Sequence, residues 1–488
     1  MDPVVAAAVR SWTFDPWILV PLLVTAGIYV RGWRQLRRQM PHRFGIWRLV
    51  TFLGGLATIF LAIASPLDAF AGLLLQVHMI QHMLLMMVAP PLILLGAPAV
   101  PMLRGLPPRV LTSGLGPFLA WPALRRLGHF LANPLVCWIA FVAATLAWHT
   151  PALYQLALQS AFWHAVQHIC FLSTALLFWW PVIQPWPSRP QWPRWTMIPY
   201  LLLADIQNTA LSAFLIFYER VLYPTYATVP RLWGISVLED QAAAGAIMWV
   251  PGSIIFLVPV GWVIYQILSP SYARREELAA RSAASVTVRT FAEQAANCAV
   301  SRPAAVGRIS RFLLAIAIAG GALLAKVPIA RAHHGGVVQL KEQAGPFIIT
   351  VFTEPTPLRA GPVEITVMVQ NRDNQRPVLD AKVAVLLQQR GADRPPTRVE
   401  ATRQNATNKL MYAADLELPA AGHWALQVLV SHGDVSSDVA FEVTAEPPRP
   451  LLLSSWPYLA LVPLAIGLFG LRHWLNRRRR RPFGALDD

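Results

Sequence analysis

Cysteine is scarce in this 488-residue chain. There are three, Cys137, Cys170 and Cys298, none in a C-x-x-C pair and all far apart. This argues against a disulfide framework and against a thiolate metal shuttle; the three read as buried or incidental thiols. Charge is scarce as well: 14% of residues are charged against 55% hydrophobic, and mean hydropathy is +0.45. A soluble protein of this length rarely shows that balance, whereas a polytopic membrane protein does. There is no phosphate-cradling G-x-x-x-x-G-K-[ST] loop, no nucleophile elbow and no H-E-x-x-H helix. Their absence argues against an ATP-driven pump or a hydrolase, and the expectation is a binding protein, not an enzyme.

The net charge is +16, but its placement speaks against nucleic acid. The Arg residues fall in short loops between apolar runs and read as topology signals. Apolar runs mark seven spans near 16–30, 46–64, 72–96, 133–149, 160–183, 197–217 and 241–267, each roughly the ~20 residues a bilayer requires. No cleavable signal peptide is evident before them. Basic loops follow the first, third, fifth and seventh spans, including Arg34, Arg37 and Arg38, then Arg104 and Arg109, then Arg189 and Arg194, then Arg274 and Arg275. The loops after the second, fourth and sixth spans carry almost no Lys or Arg, Arg220 and Arg231 excepted. Positive-inside logic puts the N-terminus outside and the end of the seventh span in the cytoplasm. Nineteen Trp suit interfacial belts.

The second half of the chain differs. A polar, Arg- and Ala-rich linker at 271–308 precedes RISRFLLAIAIAGGALLAKVPIARAHHGG. This has a basic start, an apolar core and an A-x-A-like Ala330–Arg331–Ala332, so 309–332 reads as an eighth span or an internal signal-like segment cleaved after Ala332. Residues 333–447 alternate apolar and polar in short runs (FIITVF, VEITVMV, KVAVLL, MYAADLEL, WALQVLV, VAFEV) broken by Gly, Pro and Asp. That is the pattern of a small antiparallel β-sandwich. A ninth span at 448–476 and a basic cytoplasmic tail at 477–488 close the chain, which leaves 333–447 on the outer side. The fold class is therefore a membrane all-α seven-span bundle over 1–270, then a small external β-sandwich flanked by two further spans.

The strongest motif is His-x-x-Gln-His, present twice: His78 to His82 and His164 to His168. Histidines four apart share one helix face, and ionisable groups at membrane depth are functional candidates by default. With His149 at the outer end of the fourth span and Asp240 opening the seventh, polar groups gather at one depth near the outer face. Imidazole suits copper, zinc, iron and nickel; Gln81 and Gln167 are placed to orient the rings. Two histidines four apart on one helix cannot clasp one haem, though one from each pair can. Met86 continues the row His78, His82, Met86, beside the row Met79, Met83, Met87; thioethers favour Cu(I) but also fill gaps in helix packing. Asp205 near mid-membrane, beside Gln207 and Asn208, reads equally as a structural partner or an ion relay. Asp240 is either a helix N-terminal carboxylate or a ligand. His333 and His334 follow Ala332; cleavage there makes His333 an N-terminal chelate for Cu(II), with His423 and His432 as further donors.

Together VHMIQHMLLMMVAPPLILLGAP, AWHTPALYQLAL, FWHAVQHICFLSTALLFWWPV, YPTYATVPRLWGIS and LEDQAAAGAIMWVPG resemble the bacterial CtaG-type cytochrome c oxidase assembly factors, over about 15–270. The resemblance implies a multi-pass protein of the bacterial inner membrane that serves maturation of haem–copper oxidases. It implies His78, His82, His149, His164, His168 and Asp240 as the matched polar positions. Residues 333–447 resemble, more weakly, the YtkA- or CopC-like exported β-domains associated with copper handling. The combined expectation is copper binding and delivery at the outer face, with oxidase subunits, copper chaperones and the lipid bilayer as partners. A membrane haem protein with redox activity and a copper permease are the alternatives.

Overall fold

The structure is a computed structural model and describes residues 2–110, 122–188, 190–269, 336–391 and 395–448. Helix starts follow local capping chemistry. Asp15 and Asn133 each sit before a proline, and each side chain accepts a backbone N–H two residues on (Trp17 and Leu135) to open α2 (Pro16–Gln39) and α7 (Pro134–His149). An acceptor at the N-cap with Pro at the first helical position is the favoured beginning. Before them come α1 (Pro3–Val9), and between them α3 (Ile46–Ala64), α4 (Pro66–Ala71), α5 (Leu75–Leu95) and α6 (Ala99–Gly105). After them come α8 (Pro151–Gln159), α9 (Ala161–Ile183), α10 (Met197–Phe217), α11 (Thr225–Thr228) and α12 (Val237–Leu268). Ser236 and Glu239 form a reciprocal capping box at the start of α12.

By length and composition six helices can cross a bilayer, and a seventh span exists if the bent pair α7 and α8 is one. The expected fourth span at 133–149 is only 16 residues of helix and turns by 73° into α8. Pro151 causes the break, because it has no N–H for the ladder and clashes with the preceding turn. The first span, α2, runs on past the expected 16–30 to Gln39, since Arg34, Gln35, Leu36, Arg37 and Arg38 are good helix formers. The expected eighth and ninth spans, the linker 271–308, the tail 477–488, and His333 and His334 all lie outside the described residues.

α10 packs along α12, α3 along α5, α7 along α9, and α5 along α12. α2 meets α6 at glycines: a Cβ on Gly32 would sit 1.8 Å from the Pro101 carbonyl oxygen, and one on Gly105 1.9 Å from that of Ile28. Small residues at such crossings let two backbones touch where lipid offers no hydrophobic drive.

The β-domain has two antiparallel four-stranded sheets. Their strands are β1 (Val337–Ala344), β2 (Phe347–Glu354), β3 (Gly361–Asn371), β4 (Lys382–Gln389), β5 (Thr397–Ala401), β6 (Tyr412–Leu418), β7 (Gly422–His432) and β8 (Val435–Ala445), in the orders β1-β2-β3-β6 and β5-β4-β7-β8. The six apolar runs read from sequence are β2, β3, β4, β6, β7 and β8. The two without a run, β1 and β5, are edge strands with mostly polar residues, VVQLKEQA and TRVEA, as edges that must not aggregate are built. Ile349, Val351, Ile365 and Val367 from one sheet meet Val385, Leu426, Val428 and Val430 from the other in a shared core.

The first sheet also buries its other face. Thr350, Phe352, Met368 and Gln370, which alternate with the core residues, are buried as well. Phe352 and Met368 join Phe70, Leu73, Leu74, Tyr226, Val229 and Leu232 of the helical part in one apolar cluster. Around it the Gln370 amide donates to the Arg231 carbonyl at 2.9 Å, Asn408 to that of Ala69 at 3.2 Å, and the Lys409 N–H to the Ser11 hydroxyl at 2.9 Å. The β-domain therefore packs on the end of the bundle where α5 begins.

Candidate metal centre

α5 begins beneath the β-domain and is held there by a carboxylate from another helix. Asp240, in the first turn of α12, accepts the Leu75 N–H at 2.8 Å and the Gln76 N–H at 3.0 Å. These are two of the four donors that a helix start leaves without intrahelical partners, and a negative charge there complements the helix dipole. Asp240 is thus committed to positioning α5, outside the histidine group. The next turn of α5 carries His78 and His82, and α9 brings His164 and His168 against them.

Each of these four residues offers one ring nitrogen, and the four nitrogens lie within 4.8 Å of one another. Rings stand 4.3 Å apart within the first pair, 4.1 Å within the second, 5.1 Å between His78 and His164, and 5.6 Å between His82 and His168. First faces first and second faces second, so α5 and α9 run in the same direction. The Nε2 atoms of His78 and His164 are 3.2 Å apart. His78, His82 and His164 are buried.

The tautomer of His78 follows from its partner. The Tyr226 hydroxyl donates to the Ala71 carbonyl at 2.8 Å and so accepts from Nδ1–H of His78 at 2.9 Å. Burial pushes the Tyr226 hydroxyl well above its usual range, which keeps the proton that makes this donation. Nε2 of His78 is left with its lone pair toward the cluster, the arrangement metal-bound imidazoles use. His82 is buried with neither ring nitrogen hydrogen-bonded; each polar group left this way costs about 1–3 kcal/mol, a cost that an ion bound at its bare nitrogen offsets. Four neutral imidazoles converging on one point from two adjacent helices can hold a single transition-metal ion. They leave no slot between opposed histidines for a flat macrocycle.

The remaining sequence candidates divide. His149 and Met86 stand outside the four-histidine cluster and border an adjoining cavity together with His82. Gln81 donates to the Ala62 carbonyl at 2.8 Å and to Asp68 at 2.9 Å, tying α5 to α3 and α4 and leaving the rings alone. Gln167 is buried with neither amide atom hydrogen-bonded. Asp205 accepts the Ser253 hydroxyl at 2.7 Å. His423 and His432 lie near opposite ends of β7, beside Thr444 and Asp380 respectively. Some 30 Å of strand separates them, so they cannot share an ion.

Residues 27–269 match the model of the cytochrome c oxidase caa3 assembly factor family. The helical bundle of this chain belongs to the CtaG family. Similar proteins include an uncharacterized protein of Mycobacterium bovis and one of Mycobacterium tuberculosis, each 29% identical over 260 residues, 51% of this chain and 38% of theirs. One from Mycobacterium leprae is 27% identical over 249 residues, 49% of this chain and 36% of its own. The chain thus spans less than two fifths of the length of these relatives. No solved structure matches it. The family match ends at residue 269, before the β-domain, so CtaG membership describes the helical bundle alone. Within that bundle Tyr226 had no role assigned from sequence; its signal was YPTYATVP, in which a buried tyrosine follows a loop proline. Met248, which lines the cavity with the α5 methionines, gave no signal, because the residues on either side of it in α12 are apolar too.

Proposed function

We propose that this chain binds Cu(I) at the four histidines and delivers copper for assembly of a cytochrome c oxidase. The observation that carries the reading is the buried convergence of four imidazole nitrogens within 4.8 Å, one of them with its tautomer assigned by Tyr226. Family membership supplies the oxidase, and thioethers next to the cluster favour copper over zinc. In this reading the histidine end faces the outer side of the bacterial inner membrane, where copper chaperones load it and oxidase subunits unload it. The β-domain covers that end and meets these partners first.

The test is metal analysis of the purified full chain beside His82→Ala and His168→Ala. The wild type is expected to hold copper. Each variant should lose most of it, and most oxidase maturation in cells, at near-normal protein abundance. A wild type that binds zinc but no copper, or variants that keep full copper and full maturation, would sink the proposal. A Soret band in the purified wild type would instead favour haem.

A further inference from the structure

Directly beyond His82 lies a cavity of about 20 Å³, room for one small ion or one water. Met79, Met83, Met86 and Met87 reach it from α5, and Met248 reaches it from α12. Five of the chain's eleven methionines therefore converge on a space of atomic size. Gap-filling accounts for methionines spread through a core; it does not account for a void kept open among five of them.

Thr145 and Asn208 at this cavity donate to backbone carbonyls, whereas atoms of His82, His149 and Gln207 are buried without a hydrogen bond. His149 lines it, and Nδ1–H of His149 donates to the Thr145 carbonyl at 2.7 Å. The lone pair is thereby on Nε2, which is buried without a hydrogen bond, as are both amide atoms of Gln207. His82 lines the cavity too. We propose that this cavity is a second cation site, for Cu(I), held by thioethers and His149 and filled from the four-histidine cluster through His82.

The donor set selects the ion. Thioether sulfur and imidazole are soft, neutral ligands suited to Cu(I). No carboxylate or thiolate lines the cavity among the described residues. The desolvation cost of an ion grows with the square of its charge, so an uncompensated site admits a monovalent ion far more readily than a divalent one. It also holds that ion weakly, which suits a point of passage. His82 belongs to both places, offering an atom to the four-histidine cluster and bordering the cavity. A neutral imidazole has one lone pair, so His82 serves one site at a time, and reorientation of its ring transfers the ion with no redox step and no proton released.

This inference rests on the copper reading, and one experiment separates the two. The full chain in detergent is titrated anaerobically with Cu(I) against a chromophoric chelator, and X-ray absorption at the copper edge is recorded at one and at two equivalents. The first equivalent should show nitrogen scatterers alone. The second should bind more weakly and add a sulfur shell. Met86→Leu with Met248→Leu, a nearly volume-conserving change, should lose the weaker equivalent and the sulfur shell and keep the tighter, nitrogen-only one. A wild type that stops at one nitrogen-only equivalent overturns the second site, whose cavity then holds water, and leaves the copper reading standing. A sulfur shell that survives in the double variant also overturns it. No Cu(I) bound at all overturns both.

Discussion

Tyr226 is the residue on which the histidine cluster leans most. Its hydroxyl fixes the His78 proton and ties the 218–236 connection to Ala71. Tyr226→Phe should weaken Cu(I) binding by about tenfold or more, the range seen when a partner behind a metal-bound imidazole is removed. It should cost stability by about 2 kcal/mol for the two lost hydrogen bonds, to Ala71 and from His78. Chelator competition checks the first and thermal unfolding in detergent the second; unchanged affinity would show that His78 needs no orienting partner. The histidine pairs themselves were legible because a spacing of four on a helix fixes a shared face whatever the tertiary structure. Tyr226 was not, because its contact with His78 spans 148 positions of chain through an irregular connection.

At the scale of the element, α5 carries the chemistry and α12 sets where α5 starts. The Asp240 cap makes a sharp distinction available. Asp240→Asn removes the charge that complements the N-terminus of α5 and should lower stability by about 1–2 kcal/mol, seen as a lower Tm in detergent. Copper stoichiometry should stay at the wild-type value, whereas a ligand role would lower it. The sequence placed Asp240 at a helix start correctly, but the helix it serves is another one, and no local pattern reveals a cap delivered across 165 residues. Span limits show the same division. Apolar length located the six long helices, while the bend at Pro151 and the extension of α2 through its arginines followed from residues that a count of apolar positions ignores.

For the whole molecule, the decisive feature is a sheet with two buried faces. β2 and β3 were legible as strands from their short apolar runs, which read as the alternation of a sandwich with one buried face. Which surface the second face would meet was not legible. Met368→Lys should set a charge into that contact and release the β-domain from the bundle, because an unpaired charge is not tolerated in an apolar cluster. Limited proteolysis should then cut the 218–236 connection faster than in wild type, with the inner core of the sandwich intact; equal cleavage rates would show that the contact is not held by this face.

The same contact has a consequence in time. Ribosomal synthesis adds about 5–20 residues per second, so once the bundle is complete at Ser269 the covering strands need on the order of ten to thirty seconds more to emerge. Throughout that interval the end of the bundle at Phe70, Leu73 and Leu74 lacks the strands that pack on it. The β-domain follows and covers it, so a newly made chain carries at that end an apolar surface that every older chain keeps under a roof.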